Sequence, residues 1–443
     1  MKTLILSALI LWLMALNLVS ICSCQDRQQN IESLLDAAKC GDLQRVILLL
    51  REGADINGRG KYRYTPLIAA AKNDQVEIAR LLCDKGADVN AVASPAEIEG
   101  ESGYSPLIWA AHNCSESMAE LLLARGADAN RPGEEGDTPL MIAARSGCLD
   151  IVRLLIEKGA VANQTREYDR STPLIEAVFN CHLEVADYLI RSGAPVEIKD
   201  YFGDNLLAVA ARAGSLAEVR YLFEKGLEIN GRSEAGLTPV FLSLGHTIER
   251  RYILEYLIEH GGDPSSKSRL GTTPLMQAAY DAIPWAVEFL IRRGAVVNDM
   301  DMNSETALHY ACRGIPDEVG PGSSATESAE AIRFLLDKGA NVNAKDNEGR
   351  TPLMIASRAG IPLIVGFLLN RRAQTNVQDK TGWSALMYAA EANRTEVIKV
   401  LVQNGADLKL KNSKGQTALS IAKEREASSK AYELLKSLET KVE

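Results

Sequence analysis

The feature that most constrains this chain is a pattern of about thirty residues that recurs along nearly its whole length. Its clearest copy, residues 136–163, begins Gly-Asp-Thr-Pro-Leu-Met-Ile-Ala-Ala and contains two short apolar stretches separated by Gly147. Thr138 is placed to cap a helix whose first position is Pro139, where the missing N–H costs nothing. A helix pair of this size cannot bury its apolar residues by itself, so each copy needs a neighbour to pack against.

The copies follow one another at a regular spacing. Counted at the position of Pro139, most intervals are 33 residues, and the two longest are 40 and 45. A second signal, Gly-Ala often followed by Asp, recurs with the same period after the second apolar stretch, as at Gly159 and Ala160. Two independent signals with one period predict an array of stacked helix pairs, in which each pair contacts its neighbours.

The combined motif reads Thr-Pro-Leu-x-x-Ala-Ala followed by Leu-Leu-x-x-Gly-Ala-Asp-x-Asn, and it resembles the ankyrin repeat. The resemblance covers the chain from Ile31 to about Leu438. It implies an all-α fold, an ankyrin-repeat solenoid of about eleven to twelve helix-turn-helix units with β-hairpin fingers between them. Some copies depart from the motif, by replacing the proline or by placing a polar residue at an apolar position: Leu206, Ala307, Ala385, Ala418, Glu176 and Gln277.

The chain divides into an N-terminal segment and the repeat array. Residues 1–24 have the pattern of a signal peptide, residues 25–30 form a short tether, and the array covers residues 31–440. Insertions relative to the regular spacing lie near residues 94–103 and 315–328. The second insertion is rich in Gly, Pro and Ser, which predicts a flexible loop that the fold tolerates rather than a functional element.

The N-terminal segment predicts export. Lys2 precedes a long apolar run, Leu4–Leu16, and short side chains follow up to Cys24. Two cleavage interpretations compete: a lipoprotein signal, in which Cys24 becomes the lipidated N-terminus, and an ordinary signal peptidase cut after Cys24. An uncleaved anchor is a third interpretation, because Leu4–Ser23 approaches the ~20 residues that span a bilayer. We therefore expect an exported protein, periplasmic or held at a membrane as a lipoprotein, or alternatively secreted.

Charge limits the partners of the array. After position 24 the chain has 48 basic and 58 acidic residues, an acidic balance that argues against unspecific binding of nucleic acid. We expect a protein partner, and contact with a membrane only through an N-terminal lipid or signal anchor. The array needs no second copy to complete its core, so we expect a monomer.

The sequence carries no signature of catalysis. It contains no His-Glu-x-x-His, no Gly-x-Ser-x-Gly and no phosphate-binding Gly-x4-Gly-Lys-Ser/Thr run. We therefore expect a non-catalytic protein with no cofactor and no metal site. The alternative in the enzyme class is a hydrolytic or redox site built from three regularly spaced thiols, those of Cys114, Cys148 and Cys181.

The same three cysteines raise the question of disulfide bonds. They recur at intervals of 34 and 33 residues, each at the turn between the two helices of a repeat. Stacked helices lie roughly 9–10 Å apart, whereas a disulfide needs Cα atoms within about 7 Å. We therefore expect unpaired thiols, with Cys83 and Cys312 buried as small apolar side chains.

The binding surface is predicted from the resemblance. In similar proteins the finger tips and the exposed ends of the first helices form a concave binding face, and here those positions are rich in Tyr, Phe, Trp and Arg, types that favour binding. The competing interpretation is that about half of the aromatic rings only cover the finger stems. The sequence thus predicts a protein-binding scaffold or, with the same face, an exported effector or toxin acting on host proteins. The candidate partner-binding residues are Tyr62, Tyr64, Tyr104, His112, Arg145, Tyr168, Phe179, Tyr201, Phe202, Arg212, Tyr280, Arg358 and Trp383.

Overall fold

The computed structural model describes residues 28–60, 63–93, 103–313, 323–425 and 428–442. The chain forms two compact blocks: block 1 ends at Tyr201 and block 2 begins at Phe202. Within the described ranges the regular secondary structure is helical, and no β-strand is present. Each block is a stack of helix pairs, which agrees with the predicted all-α solenoid of repeats.

Block 1 contains five helix pairs in its described part. The helix that comes first in each pair is the first helix, and the one that follows it is the second helix. The first helices are α1 (28–40), α3 (Pro66–Lys72), α5 (Pro106–His112), α7 (Pro139–Ser146) and α9 (Pro173–Phe179). The second helices are α2 (Leu43–Arg51), α4 (Val76–Asp84), α6 (Glu116–Ala124), α8 (Leu149–Glu157) and α10 (Leu183–Arg191).

Block 2 contains seven helix pairs in its described part, so the predicted count of about eleven to twelve repeats is confirmed. The first helices are α11 (Leu206–Ala213), α13 (Pro239–Leu242), α15 (Pro274–Tyr280), α17 (Ala307–Arg313), α19 (Pro352–Ala359), α21 (Ala385–Glu391) and α23 (Ala418–Arg425). The second helices are α12 (Leu216–Glu224), α14 (Ile248–Glu259), α16 (Pro284–Arg292), α18 (Ser323–Asp337), α20 (Pro362–Asn370), α22 (Thr395–Gln403) and α24 (Lys430–Val442).

The boundaries of the first helices follow from the motif. The Thr138 hydroxyl accepts a hydrogen bond from the Met141 N–H at 3.2 Å, and the helix starts at Pro139, as the capping rules predict. It ends at Gly147, whose φ of 75° is the left-handed conformation that favours glycine. Where proline is absent, a cap still forms: the side chain of Asn205 accepts from the Ala208 N–H at 2.9 Å.

The core of each block is a layer of small and branched apolar side chains between the helices. Ala143 and Ala144 on α7 have no exposed surface, and this lets the neighbouring first helices approach closely. Val152 and Leu155 on α8 are also fully buried and face the first helices. The alternation of Ala on first helices with Leu, Ile and Val on second helices therefore packs one repeat against the next.

Asparagines of the Gly-Ala-Asp-x-Asn motif join neighbouring repeats. In block 1 the side chain of Asn90 accepts a hydrogen bond from the Asp128 N–H at 2.9 Å and donates one to the Gly126 carbonyl at 3.2 Å. In block 2 Asn376 makes the same pair of bonds with Asp407 and Gly405, each at 2.9 Å. The motif recurs because each copy satisfies backbone groups of the following repeat.

The fingers between repeats are tighter than the predicted β-hairpins. In the finger before α19, the Asp346 N–H donates to the Arg350 carbonyl at 3.0 Å, and the Gly349 N–H returns to Asp346 at 2.9 Å. The Asn347 N–H donates to Asn303 on the preceding finger at 2.8 Å. Each finger is thus a short hairpin turn hydrogen-bonded to its neighbour, with too few residues to form a strand.

Two predicted segment boundaries are wrong in part. Helix α1 covers residues 28–40, so the last three residues of the predicted tether 25–30 are helical. Helix α18 begins at Ser323, so it extends into the insertion predicted at 315–328 as a loop. Residues 1–24 and most of the insertion at 94–103 lie outside the described residues. None of the helices in the described part of the chain is long and apolar enough to cross a membrane.

Candidate functional site

A recurring pair of side chains connects each finger to the end of the first helix that follows. One member lies two residues before the position of the helix proline, and the other lies six residues after it; we call this pair the latch. The two positions face each other across the start of the repeat, so a polar pair there covers the surface between the finger and the end of the first helix. Five repeats have a hydrogen-bonded or ionic latch: Tyr64–Lys72 (3.1 Å), Asp137–Arg145 (2.9 Å), Asp204–Arg212 (3.0 Å), Glu305–Arg313 and Gln416–Glu424 (2.6 Å).

The latch of α7 extends into a buried ionic cluster in block 1. Arg166, only 6% exposed, contacts the carboxylates of Asp137 and Glu176, the latter at 2.9 Å. Arg145 donates to Glu176 at 2.9 and 3.0 Å, and the Ser171 hydroxyl donates to it at 2.7 Å. Glu176, which departs from the apolar motif, is therefore the common acceptor of this cluster.

The electrostatics of the cluster fix its charge state. Burial by itself would favour the neutral form of Glu176, but the hydrogen bonds and charges of Arg145 and Arg166 outweigh it and hold the pKa of Glu176 below its usual range. Burial also opposes the charge on Arg166, and the surrounding carboxylates nevertheless raise its pKa. The guanidinium of Arg145, predicted to bind a partner, is thus engaged in ion pairs within the repeat array.

A cavity of about 310 Å³ lies at the ends of α17 and α19 in block 2. Arg313, Arg350 and Arg358 line it together with Met354 and Tyr388. Each guanidinium already faces a carboxylate: Arg313 pairs with Glu305, Arg350 with Asp346 at 2.7 Å, and Arg358 with Glu391 at 3.8 Å. Glu391 is shared with Arg425, so the guanidinium groups of this cavity are engaged in ion pairs.

Five of the predicted aromatic residues expose their rings. In block 1 these are Tyr168 at 59%, Phe179 at 51% and Tyr201 at 58%, and in block 2 they are Phe202 at 58% and Tyr280 at 43%. They lie on fingers or at the ends of first helices, as predicted. Single exposed apolar side chains are common on protein surfaces, so the informative feature is that these five rings share finger and helix-end positions.

Cations hold two of these rings in place. The Arg166 guanidinium lies 4.9 Å from the centre of the Tyr168 ring in block 1, and Arg212 lies 5.0 Å from that of Phe202 in block 2. Because Arg166 is buried and Arg212 is paired with Asp204, the supporting charges are themselves fixed. The rings are therefore presented in defined positions.

The prediction that Tyr104 is available to a partner is wrong. Its side chain is only 3% exposed, because the ring packs edge-on against Trp109 at 5.4 Å between centroids. Trp109 is itself 2% exposed and lies on α5 where other repeats have smaller residues. Tyr104 therefore fills the space at the base of the finger, as the competing interpretation of stem packing proposes.

The remaining candidates have mixed environments. His112 is exposed at the end of α5, with its ring 5.5 Å from that of Trp109. Tyr64 is half-buried and accepts a hydrogen bond from Lys72. Trp383 is half-buried against Tyr388 at 5.2 Å. Tyr62 and the predicted lipidation residue Cys24 lie outside the described residues.

A buried histidine caps α17. His309 is fully buried; its Nδ1 accepts a hydrogen bond from the Thr306 N–H at 3.1 Å, and its Nε2 lies 3.2 Å from the Arg350 carbonyl. Burial lowers the pKa of His309 and outweighs the nearby carbonyl and carboxylates, which act in the other direction. The residue therefore remains neutral, caps α17 and joins two repeats.

The prediction of unpaired thiols is wrong for two of the cysteines. Cys114 and Cys148 form a disulfide between successive repeats of block 1, with their Cα atoms 5.4 Å apart. Cys181 and Cys40 are exposed, and Cys312 is free and fully buried as predicted. Cys83 is only half-buried, which differs from the expectation.

The error came from using the distance between helix axes for residues that lie in turns. Cys114 lies eight residues after its helix proline, with φ of 55°, and Cys148 lies nine residues after the next one. Counted from the helix proline, position eight of one repeat faces position nine of the following repeat. Gly147 and His182 occupy these two positions in the next pair of repeats, and a side-chain carbon on Gly147 would lie 2.6 Å from the ring of His182. The interval of 34 residues, one more than the repeat, is the sequence signal of this pairing.

The disulfide removes the basis of the thiol-enzyme alternative. Two of the three proposed thiols are bonded to each other. Cys181 occupies position eight of its repeat, and position eight faces the following repeat, whereas Cys148 lies in the preceding one. Among the described residues, no group of three or more His, Cys, Asp or Glu side chains could hold a metal ion.

The stacked helix pairs, the capped first helices and the hydrogen-bonded fingers define a helical-repeat scaffold. Its described surface offers exposed aromatic rings and hydrogen-bonded or ionic latches. The chain belongs to the ankyrin-repeat family, because the family model described as ankyrin repeats (3 copies) matches residues 8–93, 34–133, 107–200, 174–268, 244–319, 323–379 and 362–442. Membership indicates a scaffold for protein–protein interaction, in a family that is generally non-catalytic.

Similar proteins share only part of their length with this chain. The human neurogenic locus notch homolog protein 1 is 27% identical over 173 residues, 39% of this chain and 6% of its own length. Human inversin is 29% identical over 197 residues, 44% of this chain and 18% of its own length. An L-asparaginase of Dirofilaria immitis is 28% identical over 193 residues, 43% of this chain and 30% of its own length. The similarity thus covers less than a third of each of these relatives.

Proposed function

We propose that the chain is a non-catalytic scaffold that binds a protein partner on its concave face, the face formed by finger tips and first-helix ends. The observation that carries the proposal is the distribution of exposed aromatic rings. Within the described residues six aromatic side chains count as exposed, and five of them lie on fingers or first-helix ends. Tyr252, on the second helix α14, is the sixth. Aromatic anchors of this kind dominate the energy of many protein interfaces.

The exposed rings are suited to binding because they lose little conformational entropy when a partner binds. The repeats are rigid, and Tyr168 and Phe202 rest against guanidinium groups that are already fixed. Association is opposed by the entropy of ordering side chains, so rings held in advance give more net affinity. The buried ionic cluster around Glu176 fixes Arg166, which holds the Tyr168 ring. The cluster does not itself need to contact the partner.

A photo-cross-linking experiment tests the proposal. A photoreactive phenylalanine analogue is placed in the full-length chain at Tyr168, and in a second sample at Tyr252, which is 50% exposed but lies on a second helix. We expect one protein to cross-link at Tyr168 and not at Tyr252. Changing Tyr168, Phe179 and Tyr201 together to serine should weaken co-purification of that protein about tenfold or more.

The Tyr252→Ser variant is the matched control. It removes a ring of similar exposure from the opposite part of the repeat, so binding should be unchanged. Equal loss of binding in the triple variant and in Tyr252→Ser would contradict the proposed face. The far-UV circular dichroism of both variants should match that of the wild type, since all four rings lie at the surface.

The location of the scaffold is a second part of the proposal. We infer that the chain is exported, since Leu4–Leu16 has the pattern of a signal peptide and the Cys114–Cys148 disulfide suits an oxidising compartment. Mass spectrometry of the mature N-terminus separates the two cleavage interpretations: a lipid-modified Cys24 indicates a lipoprotein, and an unmodified Gln25 indicates release. An intact Met1 in the cytoplasm would contradict export.

A further inference from the structure

One repeat of block 2 has no side chain at the second latch position. Its two latch positions hold Leu237 and Gly245, which cannot form a polar pair. Every other described repeat from α3 onward has a large side chain at the second of these positions, as Tyr280 shows in the next repeat. The first helix is also shortened: α13 has four residues, whereas α3 has seven and α11 has eight.

An arginine replaces the missing helical turn. Arg250 donates hydrogen bonds to the carbonyl oxygens of Leu242 at 2.8 Å, Leu244 at 3.2 Å and Arg212 at 2.6 Å. It lies on α14, which has twelve residues where most second helices have nine. Because these carbonyls are satisfied, the shortened end of α13 is a defined feature of the fold.

An open cavity of about 700 Å³ lies beside the shortened helix α13. Most of its walls are apolar: Phe241 lies nearly buried at 8% exposure, Leu237, Leu242 and Leu244 are half-buried, and Leu270 is 68% exposed on the finger above. Leu270 is held in place because its carbonyl accepts a hydrogen bond from the Met302 N–H at 2.9 Å. The cavity is large enough for a bulky side chain, and its walls favour an apolar one.

The rim of the cavity carries a negative balance. Glu234 and Asp281 contribute two carboxylates, and Arg269 contributes one guanidinium. Asp281 is oriented by a hydrogen bond from Gln277 at 2.8 Å, whereas Glu234 is exposed on the finger. The charge around the apolar walls therefore complements a partner segment with a basic residue beside its apolar anchor.

We propose that this cavity binds a bulky apolar side chain, of the Leu, Met or Phe class, presented by a segment of a partner protein with Lys or Arg next to it. The proposal rests on the scaffold function given above and specifies where block 2 anchors its partner. The observations that carry it are the shortened helix α13, the apolar walls and the carboxylate rim.

Two fluorescein-labelled peptides test the proposal with the full-length chain. Both are short and rich in Gly and Ser; one has a central Lys-Leu-Lys sequence and the other Lys-Ser-Lys. Fluorescence anisotropy should show the leucine peptide binding about tenfold more tightly than the serine peptide. In Leu270→Asp this preference should disappear, while Glu234→Lys should weaken binding of both peptides.

Matched variants separate the cavity from general effects of surface charge. Met302→Asp changes a residue that is 67% exposed on the next finger, outside the cavity, and it should keep the leucine preference. Glu348→Lys, on another finger, should leave both affinities unchanged. Equal affinity of the two peptides for the wild type, or equal loss in Leu270→Asp and Met302→Asp, would overturn the cavity proposal. Cross-linking at Tyr168 in block 1 is independent of these results, so the scaffold function would stand or fall separately.

Discussion

The repeat of α9 in block 1 and the repeat of α13 in block 2 have the same helix-pair frame and opposite surfaces. In the first, Glu176 accepts hydrogen bonds from Arg145 and Ser171, and a buried ionic cluster closes the base of the finger. In the second, Leu237, Leu242 and Leu270 line an apolar cavity. The comparison shows that the motif determines the frame, whereas a few positions at the finger base and helix end determine whether the surface is closed or open.

The largest expected effect comes from breaking the closed repeat. Arg166→Leu removes one of the two guanidinium groups that pair with Asp137 and Glu176 and leaves these two buried carboxylates to share Arg145, so we expect a loss of about 3–5 kcal/mol in the free energy of unfolding. Urea denaturation followed by circular dichroism measures it. Arg153→Leu, which removes an exposed pair with Asp150 at 3.7 Å, should cost less than about 1 kcal/mol. Similar losses in both variants would show that the cluster is not specially stabilising.

The next effect concerns the disulfide, which only block 1 has among the described residues. Cys148→Ser should lower the free energy of unfolding by about 3 kcal/mol, because the bond closes a loop of 34 residues in the unfolded chain. The matched control is Cys181→Ser, an exposed residue outside the Cys114–Cys148 disulfide, and it should change stability little. A reducing agent should reproduce the Cys148→Ser result in the wild type and have no effect on the variant.

A smaller loss in the free energy of unfolding is expected when the arginine that bonds the end of α13 is removed. Arg250→Met leaves the carbonyls of Leu242 and Arg212 without their donors, at a cost of about 1–3 kcal/mol. Arg251→Met, next to it on α14, removes only an exposed pair with Glu255 and should cost less than about 1 kcal/mol. If the two variants unfold alike, the end of α13 does not depend on Arg250.

The smallest effect is a pH dependence in the repeat of α17. His309 has a lowered pKa in the folded state, so the unfolded chain binds its proton first as pH falls. The contribution of His309 to the free energy of unfolding is therefore fully present above about pH 6.5. It decreases as the pH falls toward the folded-state pKa, by at most about 1.4 kcal/mol per pH unit. His309→Asn should flatten the dependence of urea midpoint on pH between about 7.5 and 5. An unchanged slope would contradict the buried neutral histidine.

The sequence predicts the frame well because each boundary has a local cause. Thr138 and Pro139 start a helix and Gly147 ends it through capping and left-handed φ, and both signals act within a few residues. The recurring Asn of the motif likewise bonds the backbone of the next repeat. Contacts that recur in every repeat could therefore be predicted from a single copy of the motif.

The candidate site is less predictable because its features depend on contacts between repeats. Tyr104 has the spacing of an exposed finger residue, and only the neighbouring Trp109 makes it a buried one. Cys114 and Cys148 pair because position eight faces position nine, a register that the axis distance does not reveal. The cavity beside Leu237 lies at the shortened α13, whose end is bonded by Arg250 of the next helix.

Hydrogen–deuterium exchange of the full-length chain, with and without the partner identified by cross-linking, tests the central claim most directly. We predict slower exchange on binding at fingers and first-helix ends, including the peptides around Tyr168 and Leu270, with no change on second helices such as α8 and α14. Protection confined to the second helices, with the fingers unchanged, would contradict the account.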